Sequence, residues 1–416
     1  MDKKTILIVG TADTKSDELL FMKSCIEQQK GLVKIMDVGV LGDPPFTPEY
    51  SRHDVAKAAN TTNKDIIALG DENKAMTKTA EGASKLTRQL YDEGKIEGMI
   101  ALGGTMGTDL ALDVAASLPL GVPKYVVSTI AFSHLIPPSR ITPDLTMMLW
   151  SGGLYGLNTV CKSVLRQACG AVLGAAIAAK KPEAQKPLIA MSSLGKSALK
   201  YMVHLKPELE KRGYELIVFH TTGQGGRALE WLAGRNRFAA VLDFSLQEVV
   251  NDLYKSIVTS GKKRMETAGL AGVPQIIAPG SINIIDIPTW QKPIKKLRGR
   301  PFHTHNRLLS SVVLSKKELK RAARNIAKKA SLAKGEVAMI LPKKGVLEWD
   351  REGNELHDPQ VLNEFFKEIK KSIKPEVGIV ELDCHINDKE FTDKVLEMFD
   401  DWVQKGIIEK GKQIEQ

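Results

Sequence analysis

One rhythm runs through this chain. A short apolar run rich in β-branched residues is followed by a glycine-containing turn and then by an amphipathic helical pattern. Thr5–Val9 leads through Gly10–Lys15 into a helix from about Ser16 to Gln29. Leu32–Val38 and Asp65–Leu69 read as further strands, and a long helical pattern spans about Glu72 to Glu93. Gly98–Leu102 leads through Gly103–Thr108 into another helix, and Tyr125–Ser128 is a fourth strong strand. Strands that are apolar on both faces, alternating with helices, call for parallel sheets covered by helices on each side.

The rhythm pauses after a helix from about Leu157 to Lys181, which stops at Lys180-Lys181-Pro182. It then resumes. Leu188–Met191, Leu216–Phe219, Ala239–Asp243, Gln275–Ala278, Glu336–Leu341 and Val377–Glu381 read as strands, with helices near Lys196, Arg227, Lys316–Ala330, Pro359–Ser372 and Asp388–Lys405. The 416 residues, 43% of them apolar, suffice for two domain cores. The expected architecture is α/β: two Rossmann-like, doubly wound domains over 1–182 and 187–416, with parallel sheets and a cleft between them.

Composition narrows the function classes. No stretch is read as a membrane span, and the N-terminus runs straight into a strand without a signal-peptide pattern, so a cytoplasmic location is expected. The four cysteines, Cys25, Cys161, Cys169 and Cys384, form no Cys-x-x-Cys pair, which argues against a zinc cluster or a disulfide framework. Charge is uneven. Residues 1–150 hold 16 Lys and Arg against 19 Asp and Glu, and the remainder holds 43 against 30. The basic helix Lys316–Ala330 reads as a solvated amphipathic face. No aromatic interleaving or reader motif supports a nucleic-acid partner.

Open α/β sheets bind ligands beyond the carboxyl ends of their strands. Three strand-end loops are chemically loaded. The first, Gly10-Thr11-Ala12-Asp13-Thr14-Lys15, combines a glycine, two hydroxyls and a lysine ahead of a helix; Thr14 or Ser16 could equally cap that helix. The second, Gly103-Gly104-Thr105-Met106-Gly107-Thr108, reads as a phosphate cradle, with glycines for close backbone approach and hydroxyls to donate. The third, His220-Thr221-Thr222-Gly223-Gln224-Gly225-Gly226-Arg227, repeats the layout and adds a planar guanidinium suited to an anion. Ala190–Ser197 looks like a phosphate-binding loop with Ala in place of its first Gly, and is set aside for that reason. His220, His303 and His385 are the candidate proton-transfer groups if the chain is a lyase, hydrolase or isomerase acting on a small carboxylate or phosphorylated sugar acid.

Taken together, these pieces resemble the Tm-one-like ATP-binding family, which includes a plant inhibitor of tomato mosaic virus RNA replication. The resemblance is carried by Gly10–Lys15 with Glu18-Leu19, Ala101-Leu102-Gly103-Gly104, Val127-Ser128-Thr129, Met147-Met148 and Gly156-Leu157-Asn158. It continues through Phe219–Gly223 with Gly225-Gly226-Arg227, Gly272-Val273-Pro274-Gln275 and His385-Ile386-Asn387-Asp388, in order along nearly the whole chain. It implies nucleotide binding in the N-terminal half and self-association, with a dimer as the expected form. Carried over by position, it implies a nucleotide touching Thr11, Thr14, Gly103, Gly104, Thr105, Gly107, Thr108 and Thr129; with the loops of both halves, the expectation is ATP or a related phosphorylated metabolite bound in or beside the interdomain cleft. It leaves the reaction and any divalent metal undefined.

Overall fold

The computed structural model describes residues 3–180, 185–195, 200–291, 297–354 and 356–413. The chain divides into two compact units, over residues 1–183 and 184–416.

The first unit is built on a five-stranded parallel sheet. Its strands are β1 (Thr5–Gly10), β2 (Leu32–Asp37), β3 (Gly98–Gly103), β4 (Lys124–Ser128) and β5 (Leu145–Leu149), in the order β2-β1-β3-β4-β5. Successive side chains point to opposite faces, and β1 shows the result. Ile6 and Ile8 enter one core, against α1 (Ser16–Gln28) and α6 (Thr159–Ala178). Leu7 and Val9 enter the other, with residues of α2 (Arg52–Ala58), α4 (Glu72–Asp92) and α5 (Thr105–Ser117). A strand wetted on neither face is apolar at every position, which is what its sequence displays.

Among the described residues α6 is the one helix long and apolar enough to cross a membrane. Leu165, Ala168, Cys169, Val172 and Leu173 on it are buried in the α1-side core, so its apolar character serves packing within the unit.

The segment Asp65–Leu69 is not a strand. It belongs largely to α3 (Asn63–Ala68), which a reciprocal cap starts: Thr62 accepts from the Asp65 amide, and Asp65 accepts from that of Thr62. Only Ile66 of its apolar run is buried, while Ile67 and Leu69 are over 40% exposed. The Thr-x-x-Asp spacing overrides the short apolar run.

The second unit carries six parallel strands: β6 (Leu188–Ser193), β7 (Glu215–His220), β8 (Ala240–Asp243), β9 (Gln275–Ile277), β13 (Val337–Pro342) and β14 (Gly378–Leu382). Their order is β14-β13-β9-β8-β6-β7. Helices α7 (Lys200–Lys211) and α13 (Lys389–Gln404) supply one core. Helices α11 (Lys316–Ala330) and α12 (Pro359–Ser372) supply the other. A small antiparallel sheet, β10 (Ile284–Pro288), β11 (Phe302–Thr304) and β12 (Leu309–Val313), is added between β9 and β13 in sequence, in the order β10-β12-β11. The sequence rhythm did not call for it, nor for β5.

Candidate functional site

In the first unit the strand order reverses between β1 and β3: the chain steps from β1 outward to β2, then returns to the other side of β1. Such a reversal leaves a crevice, because the connections leaving the two central strands diverge. Here it opens into a hollow of about 740 Å³. Gly10, Thr11, Asp13, Thr14 and Lys15 line it from β1, and Gly103, Gly104, Thr105 and Gly107 from β3. Val38–Leu41 after β2 and Asp71, Glu72, Met76 and Thr79 of the α4 region complete it.

The backbone explains why these loops stay open. Gly103 packs so closely on the first turn of α5 that a Cβ would lie 2.6 Å from the Gly107 main chain, so only glycine lets the strand meet the helix there. Gly104 has ordinary backbone angles, φ −76°, and the nearest atom to a Cβ would be the Thr129 hydroxyl at 3.8 Å. Its missing side chain is therefore not required by the fold, and leaves free space beside the loop. In the first loop, Thr11 accepts from the Lys15 amide (2.9 Å) through its carbonyl, and the Thr11 and Thr14 hydroxyls lie 2.8 Å apart.

Helix capping singles out the same place. In this unit Ser51, Thr62, Asp71 and Asn158 close the N-termini of α2, α3, α4 and α6 through their side chains. Helices α1 and α5 have no side-chain cap; Lys15 and Gly104 stand at those positions. Thr14 and Ser16 therefore do not cap α1. Both uncapped helices begin at the hollow; α4 begins there too, with its own start closed by Asp71. Free amides at a helix start carry partial positive charge and favour an anion, although Asp17 and Glu18 already place carboxylates in the first turn of α1.

Two acids underlie the site. Asp37, buried at the end of β2, accepts from the amides of Ala12 (2.9 Å) and Gly39 (2.8 Å) and so ties the two loops together. Burial pushes its carboxyl above the usual range, against the pull of those amides. Asp13 accepts from the Gly42 amide through Oδ2, while its Oδ1 is buried without a partner. Lys15 reaches over the Tyr155 ring, 5.3 Å from its centroid.

Two expected contacts need correction or relocation. Thr108 is fully buried. Its hydroxyl pairs with that of Ser128 at 2.7 Å, so it has turned inward and cannot present to a ligand. Thr129 stands behind Gly104 and holds the Gly103 carbonyl through its amide. Sequence reasoning missed Val38–Leu41, Asp71 and Glu72. The Thr62-x-x-Asp65 cap that starts α3 is the sequence signal that leads to that wall.

The third loop, in the second unit, is occupied by the protein itself. Its sheet reverses between β6 and β8. Glu248, fully buried on α9 (Gln247–Leu253), accepts from the amides of Gly223 (2.6 Å) and Gly226 (3.3 Å). The anion that Gly223, Gly225 and Gly226 were expected to receive from solution is thus a side chain. Arg264, fully buried, binds Glu248 (2.9 Å), both oxygens of Asp243 and, at 3.4 Å, Glu230. Burial opposes the charge of Arg264, yet Asp243, Glu248 and Glu230 outweigh it and hold the guanidinium protonated. Burial raises the carboxyls of Glu230 and Glu248. Arg227 donates to the Thr259 carbonyl at 2.8 Å through one terminal nitrogen, while its Nε is buried without a partner. Ser192, in the loop resembling a phosphate-binding motif, bonds Asp243 at 2.6 Å, while Lys196 and Ser197 of that motif lie outside the described residues.

The three histidines are not brought together. His220 ends β7 at one edge of the sheet, and His385 follows β14 at the opposite edge. His385 is buried with both ring nitrogens engaged: Nδ1 accepts from the Asn387 amide, and Nε2 faces the Leu347 carbonyl at 3.0 Å. His303 stacks on Trp349, ring centroids 3.9 Å apart. Among the described residues, no group of three or more His, Cys, Asp or Glu is placed to hold a metal ion.

Comparison with known proteins covers both units. Residues 4–181 match the N-terminal domain, and residues 186–403 the C-terminal domain, of an uncharacterised protein family, UPF0261. A UPF0261 protein of Brucella melitensis is 55% identical over 98% of this chain and 97% of its own length. One of Clostridium tetani is 32% identical over 94% of this chain and 96% of its own. The ToMV resistance protein Tm-1 of Solanum lycopersicum is 28% identical, over 95% of this chain and 55% of that protein.

Proposed function

We propose, for a chain that belongs to the UPF0261 family along both of its halves, that the first unit binds ATP or a related phosphorylated metabolite in the hollow between the β1 and β3 loops. The observation that carries this reading is the coincidence of the uncapped starts of α1 and α5 with the hollow at the strand reversal. Phosphate oxygens would take the free amides and the hydroxyls of Thr11, Thr14 and Thr105, with Lys15 as counter-charge. The apolar wall of Val38, Leu41, Ile67 and Met76 suits a flat, weakly polar ring system. The likeness to the tomato resistance protein agrees with a nucleotide-type ligand through the family resemblance alone. The reading is one of binding, and no reaction is part of it.

Isothermal titration of the full chain with ATP, ADP, inorganic phosphate and sugar phosphates, each with and without magnesium, tests it. Saturable binding of one phosphorylated ligand, lost in a folded Gly104→Val variant, is the expected result. A folded protein that takes up none of them at millimolar concentration overturns it.

A further inference from the structure

The second unit holds a separate hollow of about 370 Å³, beside the carboxyl end of β13 and between the first turns of α11 and α12. Its two walls differ in chemistry. The inner wall is apolar, with Leu314, Leu319, Val361 and Leu362. Protein interiors are close-packed and leave few voids larger than a water molecule. At ~30 Å³ per water this hollow corresponds to about a dozen of them, set against side chains that gain nothing from their company.

The rim is cationic. Lys343 and Lys344 stand on a turn pinned by their own amides, which donate to the Leu382 (2.9 Å) and Cys384 (3.0 Å) carbonyls. Gly345 closes that turn at φ +141°, where a Cβ would fall 2.3 Å from His385 and 2.5 Å from Asp350. The two lysines share one carboxylate, Asp383, at 4.0 and 3.3 Å. Lys316, across the opening, shares Glu364 with Lys320. Two acids in the wall keep their charge and are held by main-chain amides. Asp350 accepts from the amides of Val346 and Leu347, and Asp358 from the Val361 amide. Arg300 and Glu318 neutralise each other. Counted together these charges balance, but at the turn itself the two ammonium groups of Lys343 and Lys344 face the single carboxylate of Asp383. The wall also carries an unmatched acceptor: Asn283 gives its Nδ2 to Asp350 at 3.2 Å, and its Oδ1 is buried with no partner.

We propose that this hollow binds a small organic acid with an apolar body. Its acidic group sits at Lys343 and Lys344, its hydrocarbon or aromatic part lies along Leu319 and Leu362, and a hydroxyl on it would satisfy Asn283. The site is independent of the nucleotide hollow, and neither proposal depends on the other.

The full chain is titrated with the fluorescent probe 1-anilinonaphthalene-8-sulfonate, an apolar sulfonic acid, and the probe is competed with octanoate, octanol and inorganic phosphate. Octanoate is expected to displace it at least about tenfold more effectively than octanol or phosphate, because only octanoate meets both walls. Lys343→Glu combined with Lys344→Glu removes the octanoate advantage while leaving octanol unchanged. Val361→Trp fills the hollow at a half-buried position and abolishes the probe signal; Leu356→Trp serves the same purpose if that variant does not fold. Gly104→Val leaves all of these results as they are. Equal competition by octanoate and octanol overturns the proposal. So does an octanoate affinity indifferent to the charge reversals, or a probe signal indifferent to a folded cavity-filling variant.

Discussion

Each of the two parallel sheets reverses its strand order once beside its first strand, between β1 and β3 in one unit and between β6 and β8 in the other. Beyond the first reversal lie free amides at two helix starts and a hollow of about 740 Å³. Beyond the second, the glycine amides hold Glu248, and Glu248 holds Arg264. The same loop chemistry, glycines and threonines after a buried strand, thus has opposite outcomes. What decides between them is a carboxylate on a neighbouring helix. In the second unit Glu248 reaches the glycine amides. In the first, the nearby acids Asp37 and Asp13 receive the amides of Ala12, Gly39 and Gly42 and leave the helix starts alone.

The largest expected effect breaks the filled side. Arg264→Leu would leave Asp243, Glu248 and Glu230 buried without their shared cation. It should destabilise the second unit by about 3–5 kcal/mol, read as a shift of one transition in calorimetry of the full chain.

A pair of glycines gives the most direct contrast. At Gly226 a Cβ would lie 1.8 Å from Glu248 Oε2, so Gly226→Ala should cost about 1–3 kcal/mol and leave ATP binding untouched. Gly104→Val should do the reverse, with an affinity loss on the order of 100-fold and a stability change within about 1 kcal/mol. If Gly226→Ala weakens ATP binding in a folded protein, the assignment of the ligand to the first unit alone is wrong.

Acidity sharpens the comparison further. Burial raises the Glu230 carboxyl above its unfolded value, with Arg264 opposing. The native state therefore holds that proton more tightly than the unfolded chain. This contribution of Glu230 makes the protein less stable as pH rises from about 4.5 through the raised value. Glu230→Gln does not titrate, so it should gain on the wild type across that interval by up to about 1.4 kcal/mol per pH unit. Urea unfolding of both proteins between about pH 4.5 and 7 measures the gain; a difference that stays flat or shrinks with pH contradicts the picture.

The smallest effect separates two threonines of the open side. Thr108→Ala removes the buried bond to Ser128 and should cost about 1 kcal/mol of stability with ATP affinity intact. Thr14→Ala, at an exposed position, should weaken ATP several-fold and leave the melting temperature unchanged.

Much of the architecture was legible because both faces of the central strands are covered. Thr5–Val9 and Gly98–Leu102 have to be apolar at nearly every position, and the glycines that follow them mark where strand gives way to helix. The two parallel sheets follow from that pattern. The small antiparallel sheet was hidden because β10 and β12 pair across some twenty intervening residues, and the short hairpin of β11 and β12 is spelled by the polar run His303–Arg307 rather than by an apolar strand pattern. At the sites, the loops themselves could be read, but their occupancy could not. Nothing local to Gly223–Gly226 says that Glu248 and Arg264, some twenty to forty positions on, will fill it. Nor does Thr108 reveal that Ser128, on the next strand, takes its hydroxyl.

The carboxylate seated among the Gly223 and Gly226 amides makes that loop indifferent to the anions around it, since its own counter-ion travels with the polypeptide. The first unit has no such provision, and its heat tolerance should follow the phosphate content of the buffer. On the proposed binding, melting of the wild type would move upward with phosphate, and that of Gly104→Val would not.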